Sequence, residues 1–440
     1  MVQRKARFVA ISSLATLLTM SVAGLTAVNQ ASAQSKIQLS FWTYPVFENV
    51  PGVKSPNYGD WEKAMALKYE KLHPNVQISV QVNPYTTGPD KVAAAIAAGN
   101  PPTVLEDGNI RLIPYAQQGE LVPLNSVLGN LKQYVPSYLS ALTYKKKIYG
   151  VPVTGDPILM LANKAIFQKD GAAKFLTANH QWTFAQFWSA MKKVSGHGVY
   201  GTEFEAANDQ SDYFNEAFMW GEGATYLNGN NTGIAINSPA GVKGLQFMVN
   251  IQKHGYAAPG PSSLTPQEGN NLFLQSQVAV MPGEAFLISQ IEQAIKQGQS
   301  KGPINIYPML FPHAPKVATH IYSNITAFMV FKQKNPQVQA AALNFVKFMN
   351  TAANDRALSL SSYTIPAYVS LAGTWKNNGG MNAITHLVDA HPAEDIGLAA
   401  PNWSEIRPYF FPAIQAALTN SQTPAQALDK FAQEANPMLK

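Results

Sequence analysis

VQISVQVNPYTTGPDKVAAAIAAGNPPTVLE, residues 76–106, decides the fold. Val76 to Val82 alternates apolar and polar residues, which predicts a strand with one buried face. Asp90 opens a helix of small residues, and Gly99 stops it ahead of Asn100-Pro101-Pro102. Thr103-Val104-Leu105 is the next short strand. Upstream, Ile37 to Trp42 (IQLSFW) alternates in the same way. Between the two strands, a helix opened by Asp60 carries Trp61, Ala64, Met65, Lys68, Tyr69 and Leu72 on one spacing and ends at His73-Pro74. Strand-helix units in succession predict an α/β protein whose sheet is mainly parallel and covered by helices.

The same alternation continues past Tyr149. Gly150 to Val153 reads as extended, and Trp182 to Val194 as an amphipathic helix with Thr183 as its cap. Ser238 to Lys253 reads as a helix with Pro239 at its first position. Gln277 to Met281, Ile304 to Leu310 and Ile325 to Phe331 are expected strands; Pro336 to Met349 and Pro424 to Leu439 are expected helices. Gly201 to Asp212 and Gly255 to Gln267 lack a period and read as loops. Trp182 and Trp188 sit at helical spacing and are assigned to the core.

The start of the chain fixes an address. Arg4, Lys5 and Arg7 precede an apolar stretch from Phe8 to Val28, closed by Ala31-Ser32-Ala33. Charge, apolar stretch and small residues in that order read as an export signal cleaved after Ala33, leaving a mature protein in a periplasm or the medium. The other reading is an uncleaved anchor, because the stretch approaches the length of a membrane span. About 400 residues remain, too many for one core, so two domains are expected.

With no cysteine in the chain, there is no disulfide, no thiolate metal site, no cysteine nucleophile and no cysteine for a lipid anchor. Three of the 32 basic residues and none of the 26 acidic ones lie in the signal, which leaves 29 against 26. That near balance is no nucleic-acid footprint, and Lys145-Lys146-Lys147 reads as a solvated turn. Charged residues make up 13% of the chain, half the usual share of about 25%, a composition that suits an acidic medium.

His-Glu-x-x-His, G-x-S-x-G, a phosphate-binding glycine loop and a dinucleotide fingerprint are all absent, and neither a metal nor a cofactor is expected. What remains is aromatic and amide side chains near strand ends, where open α/β sheets bind ligands. Trp42 and Tyr44 end the first strand; Asp107, Asn109 and Arg111 follow the third. A sugar fits such a set, its C–H face on an aromatic ring and its hydroxyls on carboxylates and amides. The competing reading makes Trp42 a core residue and Asp107 a turn cap.

An ordered set of segments resembles the extracellular solute-binding proteins of ABC importers, the group that includes the maltose-binding proteins. They are LSFWT (39–43), KVAAAIAAGNPPTVLE (91–106), YAQQGELVPL (115–124), YGVPVTGDPILMLANKAIF (149–167), WTFAQFWSAMKKV (182–194), QVAVMPGEAF (277–286) and AALNFVKFM (341–349). The resemblance implies a two-lobed periplasmic-binding-protein fold of type II, each lobe a mixed, mainly parallel sheet flanked by helices, with ligand in the cleft between them. It places lobe one at about 36–150 with 310–364 and lobe two at 154–306 with 368–440. Crossovers then fall near 149–153, 307–311 and 365–368. It implies a monomer that delivers its solute to permease subunits and their ATPase, and no enzymatic activity.

Residue by residue, the resemblance puts Trp42 and Tyr44 at the mouth of lobe one, with Asp107, Asn109 and Arg111 in its polar and stacking stretch. Asp156 falls just past the first crossover. Glu284 and Phe286 follow a buried strand, with a Glu where the family often has an aromatic. Trp403 and Phe411 fall where the last helices supply aromatics, Asn324 and Tyr363 on the return through lobe one, and Asn208 and Asp209 in a loop. Beyond the signal the chain has three arginines, Arg111, Arg356 and Arg407. Bidentate recognition of anions prefers arginine, so a neutral mono- or oligosaccharide is expected, with glycerol 3-phosphate or a phosphodiester as the alternative. From other classes, a secreted carbohydrate hydrolase would need two carboxylates drawn from Asp107, Asp156, Asp209 and Glu284. A surface adhesin would be expected to show repeats and an anchor.

Overall fold

The computed structural model describes residues 36–318, 320–390, 393–400 and 402–439; the export signal and its cleavage point lie outside them. Among the described residues there are ten strands: β1 (Ile37–Thr43), β2 (Val76–Val82), β3 (Val104–Gly108), β4 (Thr143–Tyr144), β5 (Lys147–Ile148), β6 (Val151–Asn163), β7 (Val280–Glu284), β8 (Ile306–Met309), β9 (Ser323–Val330) and β10 (Ile365–Pro366). β4 and β5 form a small hairpin around Lys145 and Lys146, both at positive φ. The others share one sheet, in the order β10-β6-β9-β3-β1-β2, with β7 and β8 also on β6.

The strand-helix repeats produce parallel pairing where the sequence calls for it. β1 pairs in parallel with β2 from Ile37↔Val76 to Thr43↔Val82, and with β3 at Phe41↔Val104 and Trp42↔Leu105. The remaining main-sheet ladders, β3–β9, β6–β9, β6–β7, β6–β8 and β10–β6, are antiparallel.

β6 organises the molecule. All thirteen of its residues are buried, and its side chains alternate between faces. Val151 and Val153 enter a core with Leu39, Phe41, Trp61, Leu105, Phe328 and Phe345. Further on, Ile158, Met160 and Ala162 join a second core around Trp182, Phe187, Phe218, Met248 and Phe431. Leu159 and Leu161, on the opposite face, join a third with Phe273, Met281, Ile291 and Ile384. Asp156 stands at the changeover from the first core to the other two. Leu310, Phe311, Ile321 and Tyr322 belong to the second and third cores. The chain rejoins the first core only with β9, at Ile325.

The helices expected at 60–72 and 336–349 form as read. Thr183 closes a capping box with Gln186 at the start of Phe184–Val194, and Ser238 caps Pro239–Lys253. The strand expected at 277–281 lies three residues later, at 280–284. An apolar run has no period to mark its ends, and Pro282-Gly283, which reads as a turn, is accepted because β7 has β6 as its single strand partner.

Candidate functional site

Strand ends converge where the first core gives way to the other two. A cavity there is lined by Tyr44 and Val46 after β1, Tyr85 after β2, and Glu106, Asp107 and Gly108 of β3. Arg111 of helix Asn109–Gln117, Asp156 of β6, Glu284 of β7, Phe286, and Asn324 and Thr326 of β9 complete it. Of the residues expected from sequence, Tyr44, Asp107, Arg111, Asp156, Glu284, Phe286 and Asn324 meet here. Antiparallel register explains part of the convergence: Asp156 lies opposite Asn324, and Glu284 opposite Ile158. At Gly108 the missing side chain leaves room for the Asn324 amide, which a Cβ would push aside.

The charges on one wall are paired. Arg111 Nε donates to Asp107 Oδ2 at 2.6 Å, its Nη2 reaches Oδ1, and Gly108 N donates to the same carboxylate at 2.7 Å. The i,i+4 spacing across the strand-to-helix turn makes this pair possible. The guanidinium lies over the Tyr44 ring, 5.1 Å from its centroid, and Tyr44 stacks on Tyr85 at 4.9 Å and 14°. Burial beside Asp107 raises the Tyr44 hydroxyl well above the usual phenol range.

The opposite wall carries acids without a cation of their own. Asp156 Oδ1 accepts from Phe286 N at 3.1 Å, while Glu284 Oε1 has no partner among the described residues. Burial pushes Glu284 up to about 7, against the pull of Asn324, Arg111 and Tyr213. Burial, then the neighbouring Glu284, raises Asp156 as well. Tyr44 OH, Glu106 Oε1 and Asn324 Oδ1 are also buried without partners, so four oxygens around one small space await hydrogen bonds. The space measures about 20 Å³, room for a water molecule and far below the ~300 Å³ of small-ligand sites. A sugar enters only if the walls separate.

The other expected residues lie elsewhere. Asn109 starts its helix on the far face of β9: its Oδ1 accepts from Ile325 N at 2.9 Å and lies 3.4 Å from Tyr322 OH. It lines a second cavity, of about 410 Å³, with Tyr138, Tyr144, Glu394 and Asp395. Trp42 is half-buried under Lys91, whose Nζ lies 4.9 Å from the ring centroid. Trp403 is 4% exposed and donates its indole N–H to Ile396 O, so it is core and not a cleft aromatic. Phe411 is half-buried on Phe410–Leu418. Asn208 caps the turn at 209–211, and Asp209 lies against Arg407, whose main partner is Asp212 at 2.7 Å. Tyr363, at φ 56°, donates to Glu292 and stacks on Trp375 beside a separate groove.

Sequence reading missed Val46, Tyr85, Glu106, Gly108 and Thr326. Tyr85 had a signal, since it follows β2 as Tyr44 follows β1. Glu106 had none: in the run VLED, alternation alone does not say which carboxyl faces a cavity.

A mixed sheet with flanking helices and strands that end around a small polar space is the type II periplasmic-binding-protein fold, which the solved structures below share. Sequence comparison fixes the family. The chain belongs to the bacterial extracellular solute-binding proteins, whose family model matches residues 64–383. A putative binding protein of Brucella abortus is 24% identical over 88% of this chain and 91% of its own length. The sn-glycerol-3-phosphate-binding periplasmic protein UgpB of Agrobacterium fabrum is 23% identical over 79% and 81%. Among solved structures, an ABC transporter solute-binding protein of Thermotoga lettingae bound with α-D-tagatose superposes with a TM-score of 0.78. It is 20% identical and covers 92% of this chain and 100% of the other.

Proposed function

We propose that this protein captures a neutral carbohydrate outside the cytoplasmic membrane and hands it to an ABC permease. One observation carries the choice of ligand: Arg111, which lines the cavity, is already bound to Asp107, and Arg407, away from it, is bound to Asp212. An anionic solute would find no free guanidinium there and would face Glu106, Asp156 and Glu284. Sugar hydroxyls instead supply the donors those oxygens lack, while Tyr44 and Phe286 offer apolar faces.

Tyr44, Asp107, Arg111, Asp156, Glu284, Phe286 and Asn324 are the contacts we assign, with Tyr85 and Glu106 added. Lobe one is residues 36–150 and about 323–364; lobe two is about 158–322 and 368–440. We put the middle crossover at about 322–323 rather than at 307–311, on the support that Leu310, Phe311, Ile321 and Tyr322 belong to the second and third cores. Ligand contacts in both lobes favour the closed form, and the permease reads that form. Export with cleavage after Ala33, release without a lipid anchor, a monomeric state and binding without turnover complete the proposal.

A melting-temperature screen tests it, using tagatose, maltose, ribitol, glycerol 3-phosphate and glycerophosphocholine. A ligand that binds only the folded state raises the melting temperature. The expected result is a rise with a neutral sugar or polyol and none with glycerol 3-phosphate. A rise confined to the phosphates would overturn the choice, and release of product from a glycoside panel would overturn binding without turnover. The phosphate reading keeps some support from the UgpB relative.

A further inference from the structure

Behind the wall formed by β3 lies a second acid that the site does not display. Glu62, on helix Asp60–Leu72, is 1% exposed, and both its carboxyl oxygens lack a donor among the described residues. Its carboxyl lies within hydrogen-bonding reach of Glu106. Glu106 is 2% exposed and lines the cavity. Its Oε2 accepts from Thr43 Oγ1 at 3.0 Å, at the end of β1, and its Oε1 has no donor among the described residues. Two ionised carboxylates are acceptors only, so a bond between them requires a proton. The remaining charged groups nearby are already engaged. Lys63 pairs with Asp60 at 3.2 Å, and Asp107 with Arg111. Among the described residues, therefore, no cation takes the place of the proton.

We propose that Glu62 is a positioning residue of the solute site: it shares one proton with Glu106 and so fixes both the charge and the orientation of the carboxyl that faces the cavity. The proposal rests on the solute-binding reading above. A carboxyl pair holding one proton carries a single negative charge. It keeps Glu106 bridged between Thr43 and Glu62, with one oxygen set toward the cavity beside Tyr44 and Asp107. Loss of the shared proton puts two charges in one dry space, where they repel and turn Glu106 away. Burial raises both acids, which places that loss on the alkaline side. Capture is then proton-linked, strongest in the acidic medium that the low content of charged residues favours.

The test uses Glu62→Gln, whose amide donates to Glu106 at every pH, and Glu62→Leu, which donates at none. Tagatose, maltose and ribitol are titrated calorimetrically into wild type and variants at pH 6 and pH 9, and melting temperatures are recorded without solute. Wild type should weaken by about tenfold or more between the two pH values, the effect of one unit of titration. Glu62→Gln should match wild type at pH 6 and lose less than about threefold by pH 9. Glu62→Leu should bind more weakly at both. An equal alkaline loss in wild type and Glu62→Gln overturns the proposal, as does wild-type binding by Glu62→Leu. Should Glu62→Leu fail to fold, Glu62→Gln decides. Should none of the three solutes bind any form, the solute reading fails on its own, and the melting curves still judge the shared proton. Its signature is a wild-type melting temperature that falls more from pH 6 to pH 9 than that of Glu62→Gln; parallel falls overturn it.

Discussion

The two walls of the cavity solve the same electrostatic problem in different ways. On the wall built from β1, β3 and the helix after β3, Asp107 is matched by Arg111, and the guanidinium is itself laid on Tyr44. On the wall built from β6 and β7, Asp156 and Glu284 stand together with no cation bound to either, and burial raises both. A buried charge needs a partner or must vanish. The first wall supplies a partner; the second takes up protons. The Asp107–Arg111 pair should therefore be intolerant of losing its arginine, and the first wall should respond to pH only through Glu106 and the Glu62 behind it. The second should tolerate amides and respond to pH.

The largest effect should come from Arg111→Met. It leaves Asp107 buried at a side-chain exposure of 2% with no counter-charge. Removing one partner of a buried ion pair costs about 3–5 kcal/mol, and a urea titration at pH 7 would measure it. Adding Asp107→Asn should recover most of the loss, because the stranded charge is then gone. A loss below about 1 kcal/mol, the range of exposed pairs, would mean that water already screens this wall.

The second wall should show its character in a pH series. Unfolded, Glu284 titrates at its ordinary value of 4.5; folded, it titrates at about 7. Between these values the folded state holds the extra proton, so stability falls as pH rises. The contribution is fully present below about pH 4.5 and is lost through pH 7; it amounts to about 3 kcal/mol. Denaturation at pH 5 and pH 8 should show wild type more stable at pH 5. Glu284→Gln should reduce the difference by about that amount, while Asp107→Asn with Arg111→Met should leave it in place. An unchanged slope in Glu284→Gln would move the titration to other buried acids, of which Glu62, raised to about 7, and Glu205, raised to about 8, are the first to examine.

Much of this arrangement was legible in the sequence, and the reasons divide cleanly. Tyr44, Asp107 and Arg111 lie at or just past strand ends, and strand ends in an α/β sheet point to one region; Asp156, inside β6, and Glu284 and Asn324 were marked by the family resemblance instead. Periodicity finds strands, so it finds what closes them. The failures came where tertiary packing decides. Trp403 was expected in the cleft, but its indole N–H is satisfied by Ile396 O inside the core. Asn109 sits two residues past Asp107, yet the turn into the helix sends it to the opposite face of β9. Glu62 gave no functional signal, because a Glu on an amphipathic helix is ordinarily solvated; only its burial against Glu106 sets it apart.

The smallest effect should come from the aromatic lining that the sequence reading half found. Tyr85 stacks nearly flat on Tyr44, which in turn lies beneath Arg111. Three layers of ring, ring and guanidinium make the first wall rigid without adding a charge. Tyr85→Ala removes the outer layer and leaves the Asp107–Arg111 pair intact. Sugar affinity should fall by about 1 kcal/mol, the worth of one stacked pair, or roughly fivefold. Tyr85→Phe keeps the ring and should restore it. Titrating the sugar identified by the melting screen into both variants at pH 6 would decide. Equal losses in both would assign Tyr85 a hydroxyl contact, and no loss in either would remove it from the solute's path. In every case the pH slope set by Glu284 should persist, because neither variant removes Asn324 or Arg111, which act on it.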